Sequence, residues 1–191
     1  MKKRMLAMFF AVVMACGAAG CGTPQEEVKE ENPSKAEQMT AYLQQVPAEV
    51  TTEYAMENDF YTIKDHQALN QSVWDAFMEK VEQDTEASVV VCQYTTKGGS
   101  VLDYVTYYEG GTFEVVTDTT RDGYNDEKSL LKAPETYTEM KVFENFTLQE
   151  GGTEYTVCAL SDDPDLTADE FREYWTGIAM EANGVYMLYV I

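Results

Sequence analysis

At 191 residues the chain has room for one ordinary domain and is short for two, and its 45% hydrophobic content with 13 tyrosines excludes a wholly disordered protein. With 13 Lys and Arg against 34 Asp and Glu, the formal charge is −21. Such a surface repels nucleic-acid phosphates and anionic lipid headgroups, and it leaves cations, basic proteins and basic cell-wall components as the partners its field attracts.

Lys2, Lys3 and Arg4 precede an apolar run from Met5 to Ala15 and then small residues up to Cys21, the layout of an export signal over residues 1–20. The run is too short to span a bilayer, which takes about 20 apolar residues. Ala18-Ala19-Gly20-Cys21 resembles the bacterial lipobox, with alanine where leucine is the commoner residue three positions before the cysteine. That resemblance implies lipidation of Cys21 and a location on the extracytoplasmic face of the membrane, held by acyl chains. Val13-Met14-Ala15-Cys16 is a weaker rival, because cutting there shortens the apolar core. Removing residues 1–20, with their three cations and no acid, takes the charge from −21 to −24. Residues 21–35 are polar and acidic with prolines at 24 and 33, and they read as a flexible tether to a single domain over 36–191.

Ser34 followed by Glu37 has the form of a capping box, and Met39, Tyr42, Leu43 and Val46 recur at helical spacing before Pro47. The stretch 51–64 is ambiguous, with a short strand possible over Asp59–Ile63. Val73, Trp74, Phe77 and Val81 predict an amphipathic helix over about Asn70–Glu82 whose apolar stripe is core. Ala87 to Asp118 then reads as a three-stranded meander, broken at Gly98-Gly99 and Gly110-Gly111. Alternation puts Val89 and Val91 opposite Val90, Cys92 and Tyr94, and it puts Leu102, Tyr104, Thr106 and Tyr108 opposite Val101, Asp103, Val105 and Tyr107. Neither face is polar throughout, so the sheet is expected to be covered on both sides. Residues 117–128 are dense in turn formers and read as a loop. Tyr137–Leu148 and Thr153–Leu160 form a further hairpin across Gly151-Gly152. Thr167 and Glu170 repeat the capping box ahead of Phe171, Tyr174, Trp175 and Ile178, and Asn183-Gly184 stops that helix before a closing strand, Val185–Ile191, expected inside the sheet.

The run from Asn58 to about Tyr124 carries Trp74-Asp75-Ala76-Phe77, Gln93-Tyr94-Thr95, a glycine turn into Leu102, and Asp118-Thr119-Thr120-Arg121-Asp122-Gly123-Tyr124. It resembles a small domain of unknown function found in Gram-positive bacterial lipoproteins. The turn after Tyr-Thr, commonly Glu-Gly-Asp in that family, is Lys97-Gly98-Gly99 here, so no role for turn acids carries over. The resemblance implies an exported lipoprotein and no particular activity.

Candidate chemistry is sparse. His66 is the only histidine, which excludes multi-histidine metal sites, and it reads as an exposed or capping residue ahead of a helix. No phosphate-binding glycine loop, HExxH or Gly-x-Ser-x-Gly occurs, so neither a cofactor nor a metal is expected. Cys92 and Cys158 admit either a disulfide or two buried thiols. Asp118, Asp122, Asn125, Asp126 and Glu127 have oxygen density without calcium-loop spacing. Asp162, Asp163, Asp165 and Asp169 read as a turn into a helix cap, and Arg121 as a structural ion-pair partner. The binding region singled out is Asp118, Arg121, Asp122 and Tyr124 with the tyrosines Tyr104 and Tyr108 beside it. The fold class expected is α+β, an antiparallel sheet of five or six strands carrying two or three helices, including the Asn70 and Thr167 helices. The function expected is a non-enzymatic binding or scaffolding module; the alternatives are a small carboxylate-dependent hydrolase or wall-modifying enzyme, and a protein inhibitor acting through a strand edge.

Overall fold

The chain enters its fold at Ser34, and the computed structural model describes residues 33–123, 131–177 and 179–191. Cys21, the signal and most of the tether therefore lie outside the described residues, as do Tyr124, the remaining acids of the 125–127 loop, and Ile178. The Ser34 hydroxyl accepts from the Glu37 N–H at 3.2 Å, and a Glu37 oxygen accepts from the Ser34 N–H at 2.7 Å. These are both halves of the expected capping box, and they start α1 (Lys35–Gln45).

The ambiguous stretch 51–64 resolves into α2 (Thr52–Glu57) and β1 (Tyr61–Lys64). Two hydrogen bonds end α2: the Asp59 N–H donates to the Met56 carbonyl at 3.4 Å and the Phe60 N–H to the Ala55 carbonyl at 2.9 Å. That is a Schellman arrangement with Asp59 in the left-handed position at φ 56°, where glycine is usual. A two-residue turn then links β1 to β2 (Gln67–Ala68), and α3 (Gln71–Glu82) follows. Asn70 precedes α3 without capping it. Its side chain instead mimics a strand backbone, accepting from the Thr62 N–H at 2.9 Å and donating to the Phe60 carbonyl.

The meander is β3 (Ala87–Tyr94), β4 (Gly99–Tyr108) and β5 (Thr112–Asp122). β5 runs six residues into the stretch 117–128 read as a loop: Thr117 and Asp118 pair with Asp103 and Leu102, and past an irregularity between Ser100 and Leu102 the pairing resumes at Arg121 and Asp122. The expected strand over Tyr137–Leu148 is two strands. β6 (Glu135–Tyr137) pairs with β5, whereas β7 (Glu139–Phe146) pairs with β8 (Tyr155–Ser161), so the chain changes sheets at Thr138. The result is a six-stranded sheet in the order β2-β1-β3-β4-β5-β6 and a three-stranded sheet in the order β7-β8-β9, with β9 spanning Val185–Val190. All pairings are antiparallel except β1 with β3. The closing strand is thus an edge of the second sheet, not a member of the first.

Helix α4 (Ala168–Gly177) also departs from expectation: it packs on the three-stranded sheet. Three apolar layers explain the stacking. Met39, Leu43 and Phe60 pack on Val90, Cys92, Leu102 and Val116, covering one face of the large sheet with α1 and α2. Val89, Val91, Val105 and Val115 on its other face meet Trp74 and Phe77 of α3 together with Cys158, Leu160 and Leu188 of the small sheet. Phe171 then packs with Phe146, Val157, Ala159 and Val185 on the small sheet's outer face. The strict alternation along β3 and β4 is the alternation read from sequence, and both faces are covered.

Tyr61, Trp74 and Tyr189 join the large sheet, α3 and the small sheet at one point, with ring centroids 5.0–5.3 Å apart. A register shift makes this possible. Cys158 pairs with Tyr189 but Ala159 with Met187, so Leu188 is an inserted residue and both Leu188 and Tyr189 face the same core. Residues 33–191 cluster as one unit.

Candidate functional site

The region singled out from sequence is structural at its centre. Asp118 and Arg121 form an ion pair with side chains only 3% and 7% exposed. Asp118 also accepts from the Thr120 N–H at 2.9 Å and the Thr120 hydroxyl at 2.6 Å. Arg121 donates to the carbonyls of Val46 at 2.6 Å, Pro47 at 2.7 Å and Leu43 at 3.1 Å. Those carbonyls end α1, so the guanidinium satisfies its unpaired C-terminal acceptors and meets the negative end of its dipole. This clamp holds α1 against β5 and leaves little of either charged group for a ligand. Asp122 is partly exposed at the end of β5. Tyr108 donates to Glu114 at 2.5 Å as an ordinary cross-strand pair, and only Tyr104 faces a cleft.

Cys92 and Cys158 are both free and fully buried. Cys92 belongs to the core under α1 and Cys158 to the core between the sheets, so the large sheet stands between them and the disulfide is not formed. Burial pushes the Cys92 thiol up to about 12 and raises Cys158 as well, which leaves both unreactive. Around the acids of 162–169 the turn reading holds: the Asp165 N–H donates to Asp163 at 2.9 Å, and Thr167 and Glu170 make the reciprocal capping contacts of α4. Among the described residues, no group of three or more His, Cys, Asp or Glu side chains is placed to hold a metal ion, and no helix is long and apolar enough to cross a membrane.

The best-formed concavity is a cleft of about 460 Å³ at the C-terminal ends of β1 and β3. Lys64, Asp65 and His66 form one wall, Gln93 to Thr96 a second, Gly98 and Gly99 a third, and Val190 of the small sheet closes it. Lys64 pairs with Gln67, so Asp65 and His66 are the two central residues of the β1–β2 turn, and both are left-handed, at φ 51° and 58°. Such a turn favours glycine or asparagine; an aspartate and a histidine there carry roughly 1–2 kcal/mol each of backbone strain. The strain projects the imidazole at the cleft, with its ring centroid 5.7 Å from that of Tyr155. The Lys64 ammonium lies 5.6 Å from the Tyr94 ring centroid. Gly99 closes the floor: at φ 88°, a Cβ there would lie 1.9 Å from the Arg121 carbonyl oxygen. From sequence His66 reads as an exposed or capping residue; here it is a turn residue that lines the cleft. Gln93-Tyr94-Thr95, the segment carrying the lipoprotein resemblance, supplies the second wall.

Gln93 also connects the cleft to a buried acid. Its amide donates to the Leu188 carbonyl at 2.6 Å, capping the inserted residue of β9, and lies close enough to Asp103 to pull its pKa down. Asp103 lies at 0% exposure between the two sheets. One carboxyl oxygen accepts from Tyr186 at 2.5 Å and from Thr117 at 2.8 Å, and the Thr117 and Tyr186 hydroxyls are themselves 2.9 Å apart. Both hydroxyls donate to the same carboxyl oxygen, and sharing that acceptor brings them within 2.9 Å of each other. The other carboxyl oxygen has no hydrogen-bond partner among the described residues. Burial raises the Asp103 pKa from 3.8 to about 6 against the opposing pull of those donors. The face alternation in β4 marks Asp103 as inward; its partner Tyr186 could not be read from sequence, being 83 residues away.

No family model matches the chain, and neither a curated protein nor a solved structure is found to be similar to it.

Proposed function

We propose that the chain is a lipid-anchored extracytoplasmic binding module, fixed to the membrane through Cys21, that takes a small polar ligand bearing an acidic group in the His66 cleft. The observation that carries this reading is the cleft's composition. In a chain of net charge −21 its walls bring the Lys64 ammonium and the His66 imidazole together around the single acid Asp65, with the Gln93 amide and the Thr95 hydroxyl held in place by the Leu188 and Gly98 carbonyls. A strained turn that presents a side chain where glycine would be more stable is the pattern expected where a ligand is gripped. Binding is favoured over hydrolysis because the acid with the raised pKa, Asp103, lies buried between the sheets and does not line the cleft. The lipobox, the tether and the lipoprotein resemblance support the location. The acidic surface supports a second class of partner, cationic or basic, engaged elsewhere on the molecule.

Two measurements test this. Because His66 is the only histidine, its ring resonances need no assignment, and adding small carboxylates, peptides and cell extract should shift them. No response to any of these rejects the cleft. Cys21→Ala should move the protein from the membrane fraction to the soluble one, and retention in the membrane rejects the anchor.

A further inference from the structure

A second concavity, of about 290 Å³, opens at the opposite end of β1 and β3 from the His66 cleft. Tyr42 of α1, Tyr104 of β4 and Phe60 line it, with Val89, Val90 and the Asp59 carboxylate. Tyr42 stands 38% exposed, and its ring is nearly perpendicular to that of Tyr104, at 81° with centroids 5.4 Å apart. It also meets Phe60 at 62° and 6.4 Å. The rings and valines form an apolar corner, with Asn58 and Ser88 beside it and Asp59 at the rim. Asp59 is exposed and has no ion-pair partner among the described residues. Its charge reaches the Tyr42 hydroxyl, where it adds to the larger effect of burial in holding the phenol protonated. The carboxylate sits on a backbone that would be more stable with glycine, at the left-handed end of α2, and the Schellman bonds that close that helix need only its N–H.

We propose that this cleft binds the head group of a quaternary ammonium compound, with its methyl groups against Tyr42 and Tyr104 and its charge balanced by Asp59. Four features select that chemistry. Aromatic faces attract cations through their quadrupole. A methylated nitrogen has no N–H to satisfy against the valine and ring walls, whereas a primary ammonium must find acceptors for three N–H groups among Asn58, Ser88 and Asp59 at one side of the cleft. The volume lies at the lower end of the usual ligand range of roughly 300–1,000 Å³, which suits a compact head group. The negative field of the whole chain concentrates cations at its surface.

The test is a titration of the intact protein with tetramethylammonium chloride, followed by two-dimensional amide NMR. Neopentyl alcohol serves as the neutral control of the same shape and n-butylammonium as the primary-amine control. The expected result is saturable shifts confined to 42, 58–60, 88–90 and 104, with both controls binding about tenfold more weakly or less. Tyr42→Ala should weaken binding by about fivefold to thirtyfold, the range that loss of a cation–π contact implies. Asp59→Asn keeps a residue tolerant of the left-handed conformation and should weaken binding about threefold; Asp59→Gly gives the same loss on a more stable backbone if the asparagine variant folds poorly. Separate arms with choline and phosphocholine distinguish a free amine from a phosphate-linked head group. Equal binding of the neutral control, shifts elsewhere on the molecule, or unchanged affinity in Tyr42→Ala overturns the proposal.

Discussion

Replacing Asp103 by asparagine should remove a pH dependence that runs against the usual behaviour of carboxylates. The folded state holds the Asp103 proton up to about pH 6, while the unfolded chain releases it near 3.8. Between those values the native state binds more protons than the unfolded one, so stability falls as pH rises. The full penalty is present above the folded pKa and absent below the unfolded one. At about 1.36 kcal/mol per pH unit, it amounts to about 3 kcal/mol. No discount for solvent screening applies, because the carboxyl has 0% exposure. Asparagine keeps an oxygen for Tyr186 and Thr117 and cannot ionise. Its amide would sit where the second carboxyl oxygen has no partner, a fixed cost of about 1–3 kcal/mol. Urea denaturation at several pH values from 4 to 7.5 reads this directly, because subtracting the variant from the wild type cancels every other titrating group. Because part of the penalty is already present at pH 4, the wild type should lose about 2.4 kcal/mol relative to Asp103→Asn across that range, or roughly 5–10 °C in Tm for a chain of this size. Parallel curves would refute the assignment of Asp103 as a buried acid taken up with a proton.

Arg121→Met should cost about 3–5 kcal/mol in urea denaturation, since it strands the Asp118 carboxylate and the carbonyls that end α1; the double variant Asp118→Asn with Arg121→Met should lose clearly less than the sum of the two single changes. His66→Gly relieves the left-handed turn and should stabilise the protein by about 0.5–1 kcal/mol while abolishing ligand-induced shifts of the cleft's backbone amides at 93–96; destabilisation would mean that the imidazole is structural. Iodoacetamide should leave Cys92 and Cys158 unmodified in the native protein and alkylate both in denaturant without reductant, read by peptide mass spectrometry; a mass shift requiring reductant would contradict two free thiols.

The local half of this fold was legible in the sequence. Both capping boxes, the helical stripe of Trp74 and Phe77, the glycine-bounded meander and its two-sided alternation depend on residues within a turn or two of one another, where spacing dictates geometry. Arg121 as an ion-pair partner was legible for the same reason, with Asp118 three residues away. What the sequence could not decide is which edges meet. A strand carries its alternation but not the name of its partner, so the division between two sheets at Thr138, the placement of β9 at an edge and the seat of α4 on the smaller sheet followed only from long-range packing. The same limit applies to the sites. Asp103 shows in the sequence as a polar residue on an apolar face, yet its raised pKa comes from burial between two sheets, with Tyr186 and Thr117 arriving from two other strands to pull it back down. His66 shows as a lone histidine, and only the folding of β9 and the end of β3 around the β1–β2 turn makes it the wall of a cleft.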